Sequence, residues 1–317
     1  MALRPGVSAP FRLPGARPAV IGEALALGSA VSFAFANVAI AKGARNGSDA
    51  GGVLLSVLVT GLLSGVGWLV AGGGAVSTAA LSGAAIAWFA ASGLLATVGG
   101  RLTLFRSIAF AGVVRASTVR RVMPLFSLAL AWVFLGQAIS PLAGGGMALI
   151  TASFGLLWLD NRRKLAGARD PADISRGLAL GVASALLYAL SYVARSLGLQ
   201  IVPDAFLGAF VGAAAALLAY LAGAAVHAPF RAMVRGTLRR PDPWQLAAAV
   251  FISLGQIAQF AALTYTSVAR VAFLNSVEVY ISALLAVFVF RTEPLPSLHV
   301  LAATGLATAG VILVAAG

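Results

Sequence analysis

The side chains of this 317-residue chain that could do chemistry are charged groups set inside long apolar runs. Arg101, Arg120, Arg121 and Glu278 each interrupt stretches otherwise rich in Leu, Val, Ala and Phe. If those stretches lie in a bilayer, a charge at a helix centre costs about 2.5–3.5 kcal/mol, so each such residue needs a reason to be there. Guanidinium groups bind carboxylates and phosphates through paired hydrogen bonds. An excess of cations over one acid therefore points to a small anionic or zwitterionic ligand, with Arg101, Arg120 and Arg121 as its binding residues. Glu278 in such a place is neutral, paired with a cation or facing water. Two roles stand for it: a coupling group that exchanges a proton, or the partner of a buried arginine. Tyr188 and Tyr192 are four apart, hence on one face of a helix. With Tyr280 they can hydrogen-bond a polar ligand and stack on it; their alternative role is packing.

Depth separates the other cations. If the third and fourth apolar segments meet near Gly112, Arg106 and Arg120 lie roughly 9–12 Å from that turn at helical rise. A long side chain can snorkel over that distance to the interface, so both keep that reading beside the functional one. Arg195 and Lys42, close to the ends of their segments, are read as snorkelling. Arg101, roughly 16 Å from the turn, is not explained this way. Arg121 shares a face with Ser117 and Pro124.

Other chemistries are excluded or disfavoured. There is no cysteine, so disulfides, thiolate metal sites and cysteine nucleophiles are absent. Only His227 and His299 are available as imidazole ligands, and no metal site or cofactor is expected. No phosphate-binding GxxxxGK[ST] loop or HExxH occurs, and no nucleophile–base set supports an enzyme. Gly72–Gly74 and Gly144–Gly146 read as a turn and as close packing. The net charge of +13 could suggest nucleic acid, but 60% hydrophobic and 10% charged residues mark a polytopic membrane protein, with no nucleic-acid partner expected.

The elements that must position these residues are ten apolar segments, each near the 20 residues that a membrane helix needs. They run over 22–44, 52–72, 83–111, 116–135, 140–159, 177–198, 204–226, 244–266, 269–290 and 297–316. The fold class expected is all-α integral membrane. The order of organisation is a disordered tail (1–21), a first repeat (22–160, helices one to five), a basic linker (161–176) and a second repeat (177–317, helices six to ten). The two halves match weakly. Gly28 to Phe35 resembles Gly181 to Tyr188 at an offset of 153, which sets Lys42 on Arg195; further on, at 156, Gly99 falls on Gly255 and Gln137 on Glu293. Five helices per repeat make the two copies inverted, and inverted repeats place a transport site near the midplane at their interface. The fourth and ninth helices are symmetry partners, a geometry that can bring Glu278 towards Arg120 or Arg121, although the sequence by itself derives no such contact.

On these features the chain resembles ten-helix permeases of the drug/metabolite transporter superfamily, of the EamA type. The resemblance covers about residues 22–316. It is carried by the small-residue first helix ending in a basic residue (Gly28 to Lys42, Gly181 to Arg195), by Ser107 to Ala111 at the end of helix three, and by Met123-Pro124-Leu-Phe at the start of helix four. A polar residue and a glycine-rich fifth helix follow. The chain departs from the family pattern at Gln137, where Glu is common, and at Tyr280, which stands where the first copy has Pro124. The resemblance implies a carrier of small metabolites, often an amino-acid exporter, working by alternating access without ATP. A flippase for a lipid-linked phosphate or sugar is the alternative. The expected setting is the cell (inner) membrane, multi-pass, as a monomer or homodimer among membrane lipids. Orientation has two answers. Thirteen basic residues follow odd-numbered helices and four lie on the other side, which puts the odd loops in the cytoplasm. The resemblance implies the reverse.

Overall fold

The structure is a computed structural model that describes residues 18–45, 52–71, 82–162, 171–228, 230–231, 234–235, 242–290 and 298–317. Residues 1–17, Gly72–Gly74, Glu293 and much of the basic loop sequence lie outside the described residues. In hydrocarbon every backbone N–H and C=O must find a partner within its own segment, so apolar runs of this length become helices. Thirteen are described: α1 (Pro18–Arg45), α2 (Gly52–Val70), α3 (Gly83–Gly93), α4 (Arg101–Ala111), α5 (Val113–Arg120), α6 (Met123–Leu135), α7 (Pro141–Arg162), α8 (Pro171–Ile201), α9 (Ala205–Val226), α10 (Pro243–Leu263), α11 (Val268–Ser276), α12 (Glu278–Leu284) and α13 (Leu298–Ala316). A π-helical turn, Leu94–Gly100, joins α3 to α4, and another, Leu285–Val289, extends α12. There is no strand among the described residues.

Seven spans are long and apolar enough to cross a membrane, and three shorter apolar helices complete the ten. Leu62, Trp132, Leu218 and Ile312 point outward with 62–70% exposure, as lipid-facing side chains do. Two expected helices are each broken. The fourth span is α5 and α6, and the ninth is α11 and α12 with its π turn. The bounds also move. α1 starts at Pro18, inside the expected tail, and α8 starts at Pro171, inside the expected linker. Side chains cap several starts: Asp204 accepts from the Leu207 N–H, Asp242 from that of Trp244, and Ser267 from that of Arg270. Gly112 (φ 87°) turns the chain between α4 and α5, and Gly136 (φ 60°) stops α6.

The two repeats are interlocked. The first helix of each packs on the third span of the other: α1 on α10, and α8 on α3 and α4. Equivalent contacts recur. Ser29 donates to the Gly255 carbonyl at 2.8 Å, and Ser184 to that of Gly100 at 2.7 Å. The backbone of Gly255 lies against the Phe33 ring, that of Gly100 against Tyr188, Gly22 against Thr266 and Gly177 against Ala111. Every one of these pairs maps onto its counterpart at a single offset of 155 residues, as Ser29 to Ser184 and Gly100 to Gly255 show. The expected offsets of 153 and 156 are thereby corrected, and Lys42 is not the counterpart of Arg195. Apolar sequence matches itself at several neighbouring offsets; close backbone approach does so at one.

Two mixed trios result. One holds α1, α10 and the ninth span; the other holds α8, the third span and the fourth span. α2 and α9 flank them as a pair, and α7 packs on α13, where Gly146 and Gly310 bring the backbones together. The face of the bundle where α1 begins is called proximal and the opposite one distal.

Candidate functional site

The site is built around the two helix breaks. The Val122 N–H bonds back to the Val119 carbonyl (3.1 Å) and the Val277 N–H to that of Leu274 (3.4 Å), each a tightened turn three residues long. Val122 and Val277 take the same dihedrals, φ −76°, ψ −9° and φ −71°, ψ −7°. They stand 155 residues apart, so the break belongs to both repeats. Pro124, at the start of α6, is favourable there because a first-turn N–H needs no helical partner. Broken helices of this kind at membrane depth are tolerated where the backbone lines a cavity or is buried in protein.

Charge gathers at these breaks. Arg120 and Arg121 precede the first, and Glu278 follows the second. The Arg120 guanidinium lies over the Tyr188 ring, 4.7 Å from its centroid, and that of Arg121 lies 5.8 Å from the Phe154 centroid. Phe154 stacks on Tyr280 (6.3 Å, 5°), whose hydroxyl is 2.6 Å from Ser153 Oγ. One Nη of Arg121 is buried without a hydrogen-bond partner. The Glu278 carboxylate is within Coulombic reach of both arginines. Among the described residues it makes no ion-pair contact with either, in contrast to Arg270 and Glu23, which meet at 2.8 Å.

A hydrogen-bonded layer lies on the proximal side of these charges. Arg195 donates to Gln259 Oε1, Gln259 Nε2 donates to the Tyr192 hydroxyl, and Asn275 Nδ2 reaches the same hydroxyl at 3.5 Å. The Ser29 hydroxyl, whose one proton faces both the Gly255 carbonyl and Asn275 Oδ1, lies 2.9 Å from the latter. Arg195 is 4% exposed and rests on Phe260, 4.6 Å from its centroid, with its Nε unpartnered. It does not snorkel, contrary to the expectation, because α8 continues to Ile201 and α10 covers the guanidinium.

The structure thus brings together Arg120, Arg121, Glu278, Tyr188, Tyr192 and Tyr280. It does not bring Arg101 with them. The Arg101 guanidinium donates to Ser56 Oγ at 2.9 Å, one turn inside the distal end of α2. Arg106 is exposed on the distal part of α4, and Lys42 sits 4.5 Å from the centroids of both Trp244 and Phe290. Sequence reasoning missed Gln259, Asn275 and Ser153. The signal for the two amides was their position within apolar helices, where an uncharged polar group also needs a partner.

The layer also records which face is shut. The hydrogen bonds of Tyr192 and Arg195 to Gln259 and Asn275 join the two trios, as do the Phe89–Phe260 ring contact (6.1 Å) and the Gln137 side chain, which accepts from the Val268 N–H at 3.0 Å. All of these lie in the proximal half. Distally, α4 and α5 pack on α8, but among the described residues neither packs extensively on α1, α10 or α12. Arg120, Tyr188 and Glu278 remain partly exposed. Among the described residues, the contacts that join the two trios through these side chains are therefore proximal.

Residues 20–159 and again residues 175–316 match the EamA-like transporter family. No curated protein matches the sequence. Among 27 chains of solved structure that match, one crystal structure superposes with a TM-score of 0.71 at 16% identity, covering 92% of this chain and 95% of its own, a likeness of fold.

Proposed function

This chain belongs to the EamA-like transporter family, multi-pass membrane transporters of the drug/metabolite type, and we propose that it carries a small organic anion or zwitterion, such as an amino acid, by alternating access. The observation that carries this reading is the convergence of Arg120, Arg121 and Glu278 at two symmetry-related helix breaks inside an apolar bundle. Arg121 presents a buried donor with no protein partner, and an unsatisfied buried donor is costly unless a ligand or water meets it. Arg120 and Arg121 hold the anionic group. Glu278 holds a substrate amine or exchanges a proton with it. Tyr188, Tyr192 and Tyr280 line the remaining contact. Arg101 has no place in this site. The direction proposed is export, across the cell (inner) membrane, by a monomer or homodimer.

One observation favours a second reading. A cavity of about 210 Å³ lies beside Tyr280 between α1, α12 and α13, lined by Leu27, Ile281, Leu284 and Val311, with Thr304 and Thr308 as its polar residues. An apolar groove next to a cationic site is what a flippase for a lipid-linked phosphate or sugar would use. Uptake of labelled amino acids, dicarboxylates and phosphate monoesters into proteoliposomes tests the first reading. Movement of a fluorescent polyprenyl phosphate between leaflets, with none of the soluble substrates moving, would replace it by the second.

A further inference from the structure

We infer that Asn37 and Arg120 form the latch that closes the distal face when the proximal one opens, an inference that rests on the carrier reading. Two repeats of one fold exchange conformations as an inverted-repeat carrier turns over. The contacts that shut the proximal face therefore dictate, through the 155-residue correspondence, the contacts that shut the distal one. Tyr192 corresponds to Asn37, Asn275 to Arg120, Arg195 to Ile40 and Gln259 to Leu104. Tyr192 is hydrogen-bonded to Asn275 across the two trios; on exchange, Asn37 meets Arg120. The chemistry fits, since the Asn37 side-chain oxygen is an acceptor and a guanidinium carries five donors.

The present state leaves these partners available. Asn37 is exposed and donates to Ser282 Oγ at 3.3 Å, a bond that uses its amide nitrogen and not its oxygen. Arg120 is held over Tyr188 by a ring contact, and a ring contact leaves the in-plane N–H donors open. Ile40 is 50% exposed. The two latches are unequal. The proximal one has Arg195 donating to Gln259 and Gln259 donating to Tyr192 where the distal one offers Ile40 and Leu104, so it has two hydrogen bonds more. That difference accounts for a bundle found shut proximally. It also makes Arg120 serve twice, as a ligand for the substrate anion and as a bolt that is free only when the substrate has left.

The full chain has no cysteine, so an I40C/L104C pair provides its only thiols. In the exchanged state the two positions take the places that Arg195 and Gln259 hold now, a contact made by the tips of long side chains, so the thiols are joined by a short bifunctional thiol cross-linker and not directly. The rate of cross-linking, read by mass spectrometry of the linked peptides in nanodiscs, reports distal closure without any substrate. N37D should raise the rate roughly threefold to fivefold, the effect of a partly exposed charge pair; N37L should lower it, and R195M should raise it by weakening the opposite latch. Equal rates in N37D, N37L and the parent, with all three folded by size-exclusion profile, would overturn the latch. So would a cross-link that never forms in protein that still transports. A cross-link that follows Asn37 in a protein moving none of the tested solutes would instead keep the latch and defeat the carrier reading.

Discussion

Replacing Glu278 by Gln separates a working carboxylate from a structural one. A carboxylate in direct contact with a buried arginine is expensive to remove, because about 3–5 kcal/mol is lost when the cation is left alone. Glu278 makes no such contact among the described residues and is partly exposed. Its attraction to Arg120 and Arg121 acts at a distance and without a direct ion pair, and a partly exposed pair of that kind contributes about 1 kcal/mol or less. At about 2–4 °C of melting temperature per kcal/mol for a chain of some 200 residues, and less for a longer one, E278Q should shift the transition by no more than about 2 °C. Function should change far more. Gln fixes the neutral form, so accumulation of substrate against its gradient should vanish together with its pH dependence, while exchange down a gradient continues. The assays are thermal unfolding in detergent and counterflow in proteoliposomes between pH 5.5 and 8.5. A fall of 8 °C or more would show that Glu278 is a buried ion-pair partner after all. A stable variant that still accumulates substrate with the parent's pH profile would refute both roles.

Other outcomes follow from the same geometry. R120Q and R121Q should each reduce transport at least about 30-fold with insertion intact, as for truncating one side of a desolvated charge contact, and Lys should restore only part of it for want of a planar fork; substrate competition assays measure both. R101Q should leave transport near the parent's and lower stability by about 1–3 kcal/mol for the hydrogen bond from a charged group to Ser56, read by thermal unfolding. At Gly93 a Cβ would lie 2.0 Å from the Gly212 carbonyl oxygen, whereas at Gly28 nothing lies within 4 Å. G93A should therefore lose the monodisperse peak in size-exclusion chromatography and G28A should keep it. Q137A should remove the side-chain cap on the start of α11, at a cost of about 1 kcal/mol, and should speed hydrogen exchange at Val268.

Much of the fold was legible because a bilayer enforces it: apolar length alone located ten spans. The breaks were not. Nothing at Val277 marks a kink, since neither proline nor glycine stands there; the break lies in a span packed against α1 and α8. Pro124 was a readable sign for the first break. Glu278, Arg120 and Arg121 stood out by charge and do converge. Arg195 was misjudged because its depth was counted along one helix, whereas burial depends on what covers it, here Phe260 and Gln259. Arg101 erred in the opposite direction. Its distance from the Gly112 turn implied depth, but Ser56, near the distal end of α2, takes its guanidinium. Gln259 and Asn275 are less legible in the sequence, because an amide carries its chemistry without the formal charge that makes Arg and Glu stand out in an apolar run.

The hydrogen bond from Ser29 to Gly255 spans 226 positions, and this has a consequence for how the chain is made. A ribosome adding about 5–20 residues per second completes α10 roughly 10–45 s after it has released α1 into the membrane. For that interval α1 lies among lipids with Ser29 and Glu23 lacking their final partners. The second half of the chain must then slide in beside helices inserted long before, on both sides of the interlock. Neither repeat is a unit that the translocation machinery can finish and leave. Quality control that inspects unpaired polar groups in the bilayer would have its longest window on α1.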